Sequence, residues 1–503
     1  MELIGQLIRK FLANCLDLSY AFLMRTELGK KEFVGRKEEL SKLDEFAHLS
    51  TAAIAVVYGR RRVGKTTLIE KAFAEKKMIK IEGIEGKPLS DQLSSAMIQL
   101  RNQVENSLLG SIFPKTWHEF FDLVAKLTTT GEWIIYLEEL QWLANYQPDL
   151  IAELKLVWDN DFRRNRRLKL ILCGSAPSFF LTHVIRSKAL YNRTSLELHV
   201  EPLPLCDAHQ LLPKTSMRSF FDAYLTVGGI PVYLERLHRK SSVFLSLSES
   251  SFTKDAYFLN EYAKVFISSF GANPTYRTII ETIASRGICS RSELLKACEA
   301  QSGGSITRFL VDLESCGFIT RVTPLQRDPK SRLSLYQIAD NYLHFYFSFI
   351  QPIKHKIATG AFQKAPNKAL DMKRYAVWLG FAFERFCRNQ AHAIAELLGF
   401  SAVQYDAGGY YTRATLAKNN GVQIDLLFQR ADKVLTICEV KYTEAPVGAE
   451  VITELEQKIK SVDFPARYSL ERVLISASGI SKELHERHYF DRIITLEDLY
   501  RSL

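Results

Sequence analysis

The sequence predicts a multidomain α/β protein, and three changes of texture along the chain carry that reading. From about Phe33 to Leu237, short apolar runs alternate with helical patterns, as in a parallel sheet covered on both faces. From about Tyr257 to Pro352, three helical patterns lead into a hairpin with a basic tip. From about Tyr375, a helix, an apolar hairpin, a helix, a strand and a closing helix follow in order. A chain of 503 residues has room for roughly three such domains.

Composition narrows the class. Hydrophobic residues make up 47% and charged residues 24%, the profile of a folded soluble protein. The 66 Lys+Arg against 56 Asp+Glu give +10, a mild excess that fits nucleic acid or an anionic surface without requiring either. The 8 cysteines form no CxxC pair and no zinc-spaced Cys/His cluster, so buried free thiols in a reducing cytoplasm are expected. Arg9, Lys10 and Asp17 interrupt the apolar start, which therefore reads as a docked amphipathic helix and not a membrane span.

Taken in order, the first strand candidates are 52–58, 77–83, 133–139 and 168–174. Directly after the first comes Gly59-x-x-x-x-Gly64-Lys65-Thr66, followed by a helical pattern, which is the context a phosphate-binding loop needs. Its glycines free backbone N–H groups for phosphate oxygens, and the helix N-terminus adds partial positive charge. The cradle runs through Gly59, Arg60, Arg61, Arg62, Val63, Gly64, Lys65, Thr66 and Thr67. Lys65 is expected on the β- and γ-phosphates of ATP and Thr66 on Mg²⁺. The strand 133–139 ends in Glu138-Glu139: Glu138 is expected to hold the metal and Glu139 to activate water. Glu138 stands one methylene longer than the usual Asp, which predicts slow turnover. Ser175, past the next strand, reads equally as a γ-phosphate sensor or a helix cap. Arg193 is a candidate cation for transition-state charge. Arg163, Arg164, Arg166 and Arg167 read as a solvated loop, or else as a contact to a neighbour or nucleic acid. Gly228-Gly229-Ile230-Pro231 is a turn by chemistry, a candidate to pack near the base or ribose.

Together "FVGRKEELSKL", "YGRRRVGKTTL", "EELQWL", "LCGSAPS", "LYNRTS" and "VGGIPVYLERL" stand in the order seen in archaeal-type AAA+/STAND-like ATPases, which residues 33–237 resemble. The resemblance implies that Gly35 and Arg36 lie near the nucleotide base, that Ser175 senses phosphate and that Arg193 faces it.

The middle segment reads as a winged helix. "SRSELLKACEA" opens with a capping box, Ser290 and Glu293. The third helix, with Ser305, Thr307 and Arg308, would face a major groove, and the wing, with Arg327, Lys330 and Arg332, would touch phosphates of double-stranded DNA. The alternative is a winged helix packed on the ATPase module as a lid or lever.

"IDLLFQRADKVLTICEVKY" reads as two apolar strands, 423–429 and 434–441, with a turn over 430–433. Pairing Gln429 with Val434 sets Asp425 opposite Cys438, one residue from Glu439. Glu439 and Lys441, two apart, share a face. Charges at the end of an apolar hairpin are costly unless paired or metal-bound, so the site is either a Mg²⁺ centre or a strand-end ion pair. Asp-x13-Glu-x-Lys resembles the PD-(D/E)XK nucleases, with Ile424 where the motif has proline. The resemblance implies Asp425, Glu439 and Glu384 as metal ligands, Lys441 as a catalytic lysine and Gln457 as a loosely matching helix residue.

The fold class expected is therefore α/β multidomain: a P-loop NTPase parallel sheet, then a winged helix, then an α/β restriction-endonuclease-like domain. The expected boundaries are 1–32 extension, 33–237 ATPase, 238–352 lid and winged helix, 353–374 linker and 375–503 nuclease-like. The expected function is a Mg²⁺-dependent ATPase coupled to nucleic-acid binding and to DNA cleavage; the alternative is an ATP-controlled switch that binds protein or DNA without cutting. Expected partners are ATP, double-stranded DNA and further copies of the chain as a homo-oligomer, with no membrane.

Overall fold

The computed structural model describes residues 33–502 apart from 188–189, 191, 239, 241, 271–272, 299–302, 323–324, 326–333, 412–422 and 463–466. The expected N-terminal helix, 1–32, lies outside the described residues. From Arg36 onward they form one compact unit.

Five strands make a parallel sheet: β1 (Ala53–Tyr58), β2 (Met78–Glu82), β3 (Trp133–Glu138), β4 (Leu168–Gly174) and β5 (Thr194–His199), in the order β2-β3-β4-β1-β5. β1 and β4 are buried along almost their whole length, because helices cover both faces. β5 escaped the sequence reading: it is an edge strand whose residues alternate with solvent, so "TSLELH" lacks the continuous apolar run of its neighbours. Parallel pairing puts the C-terminal ends of β1, β3 and β4 together, which is where ligands bind open α/β sheets. α1 (Lys37–Ala47) packs against α2 (Lys65–Ala72), which follows β1.

α3 (Met217–Val227) ends at Gly228-Gly229. A Cβ on Gly229 would overlap the carbonyl of Leu203, so this turn abuts a neighbouring loop, while Gly228 faces Asn341. Past three intervening helices (Pro231–Leu237, Val243–Phe252 and Tyr257–Phe270) come α4 (Pro274–Arg286), α5 (Arg291–Ala297) and α6 (Gly303–Ser315), with a small antiparallel sheet of order β6-β8-β7 from β6 (Ile288–Ser290), β7 (Ile319–Val322) and β8 (Leu335–Ile338). The capping box of α5 forms as expected: Glu293 N–H donates to Ser290 Oγ (3.3 Å) and Ser290 N–H to Glu293 Oε2 (2.7 Å). Arg327, Lys330, Arg332 and the side chain of Ser305 lie outside the described residues. Residues 353–374, expected as a linker, carry helical turns at Lys354–Ala358 and Pro366–Ala369 and bury Ile357 and Leu370, so apolar anchors outweigh the polar composition.

The last sheet has the order β13-β12-β11-β10-β9. β9 (Tyr405–Tyr411), β10 (Gln423–Arg430) and β11 (Val434–Lys441) are antiparallel neighbours, and β12 (Ser469–Ser476) and β13 (Arg492–Ile494) add in parallel. β11 is thus central and buried, as its two apolar faces required. The helical pattern before it breaks in two: α7 (Met372–Asn389) stops at Gln390, and a second helix spans Ala391–Leu398. α8 (Glu450–Lys460) buries Leu455 in one apolar cluster with Leu435 and Ile437 of β11.

α3 carries this last module. Arg218, Asp222 and Thr226 recur every four residues and so share one face. Arg218 Nη1 donates to Thr443 O (2.8 Å) and its guanidinium lies 3.5 Å from the Tyr442 ring. Tyr442 Oη donates to Asp222 (2.8 Å), and Thr226 bonds Tyr375 (2.7 Å). No helix among the described residues is long and apolar enough to cross a membrane.

Candidate nucleotide site and a second acidic centre

The loop after β1 is shaped by its glycines. Gly64 takes φ +95° with open space beside it, while a Cβ on Gly59 would strike the Val200 carbonyl. Lys65 is buried and donates to Gly59 O (2.9 Å) and Arg60 O (3.0 Å), and burial lowers its pKa. Arg36, also buried and just ahead of α1, donates to Val63 O of the loop (3.0 Å) and to Glu201 O beyond β5 (2.5 Å). Gly35 turns at φ +65°. Thr67 is exposed on the first turn of α2.

The three loop arginines have partners that the sequence did not suggest. Arg60 pairs with Asp340, both buried, and lies 5.0 Å from the Phe318 ring. Arg62 pairs with buried Glu261 (2.5 Å). Arg61 lies over Trp142 at 5.9 Å. Two of the three thus reach into the helical segment beyond Leu237. Arg60 Nε and Nη2 remain buried with no hydrogen-bond partner among the described residues, donors suited to an anion.

The acids sit at the end of β3. Thr66 Oγ1 donates to Glu138, whose other oxygen meets Lys80 Nζ (2.6 Å). Glu139 turns left-handed (φ 50°), and one of its oxygens accepts from Ser175 N (3.1 Å), Ser175 Oγ (2.8 Å) and Gln141 Nε2 (2.5 Å). The Ser175 hydroxyl thus donates to a carboxylate, and Ala176, not Ser175, stands at the N-cap of Pro177–Phe179. Arg193 is not brought to the loop. It precedes Thr194, which pairs with Ile54 near the start of β1, whereas the loop leaves the far end of that strand at Tyr58. Arg193 instead grips Asp159 at 2.9 and 3.0 Å.

In the last module the hairpin register differs by one residue from the expected one. Leu426, not Asp425, faces Cys438, so Asp425 and Glu439 are the next residues out on their two strands. Asp425 accepts from Val440 N (3.0 Å), and Glu439 is 1% exposed. Gln423 Nε2 spans Glu384 (3.1 Å) and Asp425 (3.5 Å). Burial, then the Asp425 charge, raises Glu384 to about 7, and burial and Glu439 raise Asp425. Lys441 reaches Glu439 (3.2 Å) and Glu454 (2.7 Å). Gln457 is exposed; its neighbour Lys458 takes the inward position and donates to both oxygens of Glu439 (2.8 and 2.6 Å). Among the described residues no group of three or more His, Cys, Asp or Glu is set to hold a metal ion.

Sequence reasoning missed Lys80, Glu261, Asp340 and Lys458. Only Asp340 left a signal, as the N-cap of Asn341–Phe345, and that signal names a helix start and not an ion pair.

On the Arg308 side, α6 packs against the turn Pro177–Phe179 of the ATPase module. Arg308 lines a cleft there of about 420 Å³ with Phe179, His183 and Tyr276. Thr307 accepts from Arg291 Nη2 (2.7 Å). The helix expected to enter a groove thus leans on the ATPase module.

Residues 33–237 match the family model of an ATPase domain predominantly from Archaea. An uncharacterised protein of Methanocaldococcus jannaschii is 27% identical over 414 residues, 82% of this chain and 88% of that protein, so the likeness runs well past the matched domain. An uncharacterised ATP-binding protein of the same organism is 54% identical over 48 residues, 10% of this chain and 80% of that protein. Among solved structures, a Walker-type ATPase of Pyrococcus abyssi is 20% identical with a TM-score of 0.45, covering 63% of this chain and 97% of that one. The comparisons thus support an archaeal-type ATPase domain over residues 33–237, and ATP-dependent activity for it.

Proposed function

We propose that the chain is a Mg²⁺-dependent ATPase whose nucleotide state governs nucleic-acid engagement, and DNA cutting, by the acidic centre of its last module. In this reading residues 238–352 are a helical lid and winged helix, and residues 375–503 a nuclease-like module. Thr66 and Glu138 supply hard oxygen ligands of the kind Mg²⁺ takes, and Lys65 and Arg60 supply cationic donors for phosphate. Bound Mg²⁺ would polarise the phosphate and neutralise its charge. Glu139, its carboxylate aimed by Ser175 and Gln141, would accept the proton of the attacking water. In the last module Asp425 and Glu439 would offer oxygen ligands to such an ion, with Glu384 and Lys441 as their neighbours.

The observation that carries the coupling is the connection along α3. Arg60 of the loop pairs with Asp340; the next residue, Asn341, donates to Tyr224 O on α3 (2.9 Å); Asp222 of the same helix holds Tyr442, next to Lys441. Nucleotide phosphate competing for Arg60 would loosen the first of these links. The test is cleavage of plasmid and linear DNA in Mg²⁺ or Mn²⁺, with and without ATP, for wild type, Glu439→Gln and Lys65→Ala. Loss of cutting in Glu439→Gln, and altered ATP dependence in Lys65→Ala, are expected. No cutting by wild type under any of these conditions would overturn the nuclease reading.

A second reading is favoured by one observation: two lysines already neutralise Glu439. In it the last module binds without cutting, and ATP controls assembly. Sizing wild type and Lys65→Ala with and without ATP tests it.

A further inference from the structure

We infer that one face of α7 is a platform for single-stranded DNA, leading to the Asp425–Glu439 centre. This inference rests on the nucleic-acid reading above and names the form of substrate. Lys373, Val377, Gly380, Phe381 and Glu384 fall at i, i+4, i+7, i+8 and i+11, a single helical face. Val377 is 63% and Phe381 52% exposed, large apolar side chains left in solvent, while the opposite face of the same helix buries Tyr375, Leu379, Phe383 and Phe386. The exposed face ends at Glu384, which shares Gln423 with Asp425.

Gly380 supplies an independent observation. Glycine is a poor helix former, and inside a helix it is most useful where a neighbour comes close to the backbone. Here a Cβ would meet nothing within 4 Å, so no part of the described chain demands the glycine. The space above it, between Val377 and Phe381, suits a ligand that approaches the helix backbone.

Charge says which ligand. The segment leading into this face, Lys354 to Arg374, exposes Lys354, Lys356, Lys364, Lys368, Lys373 and Arg374 against one acid, Asp371, which caps α7. Cations followed by an exposed ring match a sugar-phosphate strand whose bases are free to stack. In a duplex the base faces are already covered by their neighbours, so the exposed Phe381 ring selects an unpaired strand, an overhang or a frayed end.

The experiment uses the full chain in EDTA, so that cutting is suppressed, and fluorescence anisotropy with a labelled oligothymidine of twenty nucleotides and a blunt hairpin duplex. Wild type is compared with Gly380→Ala and Phe381→Ala. Phe381→Ala is expected to weaken single-strand binding about tenfold, the loss of one stacked base. Gly380→Ala is expected to raise the melting temperature, since alanine favours the helix, and still to weaken single-strand binding; misfolding cannot produce that pair of results. Duplex binding and ATP turnover should change less than about twofold, a shift too small to count as the loss of a stacked base. Unchanged single-strand binding in both variants overturns the platform while leaving the nucleic-acid reading intact, as does an equal loss on duplex. Self-association of wild type that Phe381→Ala abolishes would make the face a contact between copies and overturn the platform too. If wild type binds neither probe, the nucleic-acid reading itself falls, and the platform with it.

Discussion

Two acidic strand ends face each other across this molecule's function, and they are built differently. At the end of β3, Glu138 is held by Thr66 and Lys80, and Glu139 by Ser175 and Gln141, all delivered to the C-terminal edge of one parallel sheet. At the end of the β10–β11 hairpin, Glu439 is held by Lys441 and Lys458 and stands beside Asp425. The first site keeps spare donors for an anion on Arg60; the second has its most buried acid already paired twice. The difference separates a site arranged to receive a charged ligand from one whose charges are balanced by the chain itself until something displaces a lysine.

The comparison breaks most sharply at Glu139. Glu139→Gln should cut ATP turnover by about 10²–10⁴-fold while leaving ATP binding intact, the effect of losing a general base; turnover within tenfold of wild type would mean that another group takes the proton. Next in size is Lys458→Met. Leaving Glu439 buried with Lys441 alone should cost about 2–3 kcal/mol in urea unfolding, somewhat less than stripping a buried charge entirely. Added Mg²⁺ or Mn²⁺ should restore that loss if the centre takes a metal, and should leave it if the lysine is purely structural. Tyr442→Phe removes one hydrogen bond to Asp222, worth about 1 kcal/mol. Its more telling readout is ATP turnover in the presence and absence of DNA, where the ratio should collapse toward one.

The smallest effect concerns Arg193. Its guanidinium holds the Asp159 carboxyl down at about 2. A folded value below the ordinary carboxylate range means the pair stabilises above about pH 4 and the contribution is lost as pH falls toward 2. Asp159→Asn should therefore cost under about 1 kcal/mol at neutral pH and progressively less as pH falls through about 2, since the pair is partly exposed. A large loss of ATP turnover in Arg193→Ala with unchanged stability would instead return Arg193 to catalysis, supplied to a neighbouring copy.

How much of this was legible follows from sequence distance. The phosphate loop is contiguous, so its glycines, lysine and threonine could be read in one line, and the buried strands β1, β3 and β4 announced themselves by apolar runs. Glu439 and Lys441 were legible for the same reason. Lys458 was not: α8 presents one residue in about four to β11, and choosing Gln457 over its neighbour needs the helix phase, which sequence leaves uncertain by a residue. The hairpin register slipped by one for a similar reason, since the left-handed Lys433 closes the turn in a way the residue types do not advertise. The Arg60–Asp340 pair spans 280 positions, and no local pattern could have joined them.

The contacts of α3 have a practical consequence for anyone dividing the chain. Tyr375 and Tyr442 belong to the last module, yet their hydroxyls are satisfied by Thr226 and Asp222, and Phe383 and Phe386 rest edge-on against Phe221. A fragment beginning near Tyr375 would turn this aromatic seam into solvent and strand two phenols that were bonded. Such a fragment is expected to aggregate, and an inactive preparation of it would report on the severed seam and not on the chemistry of Glu439. Keeping α3 with the fragment, or trimming from the N-terminal side of Met217, is the cut that respects where the surface lies.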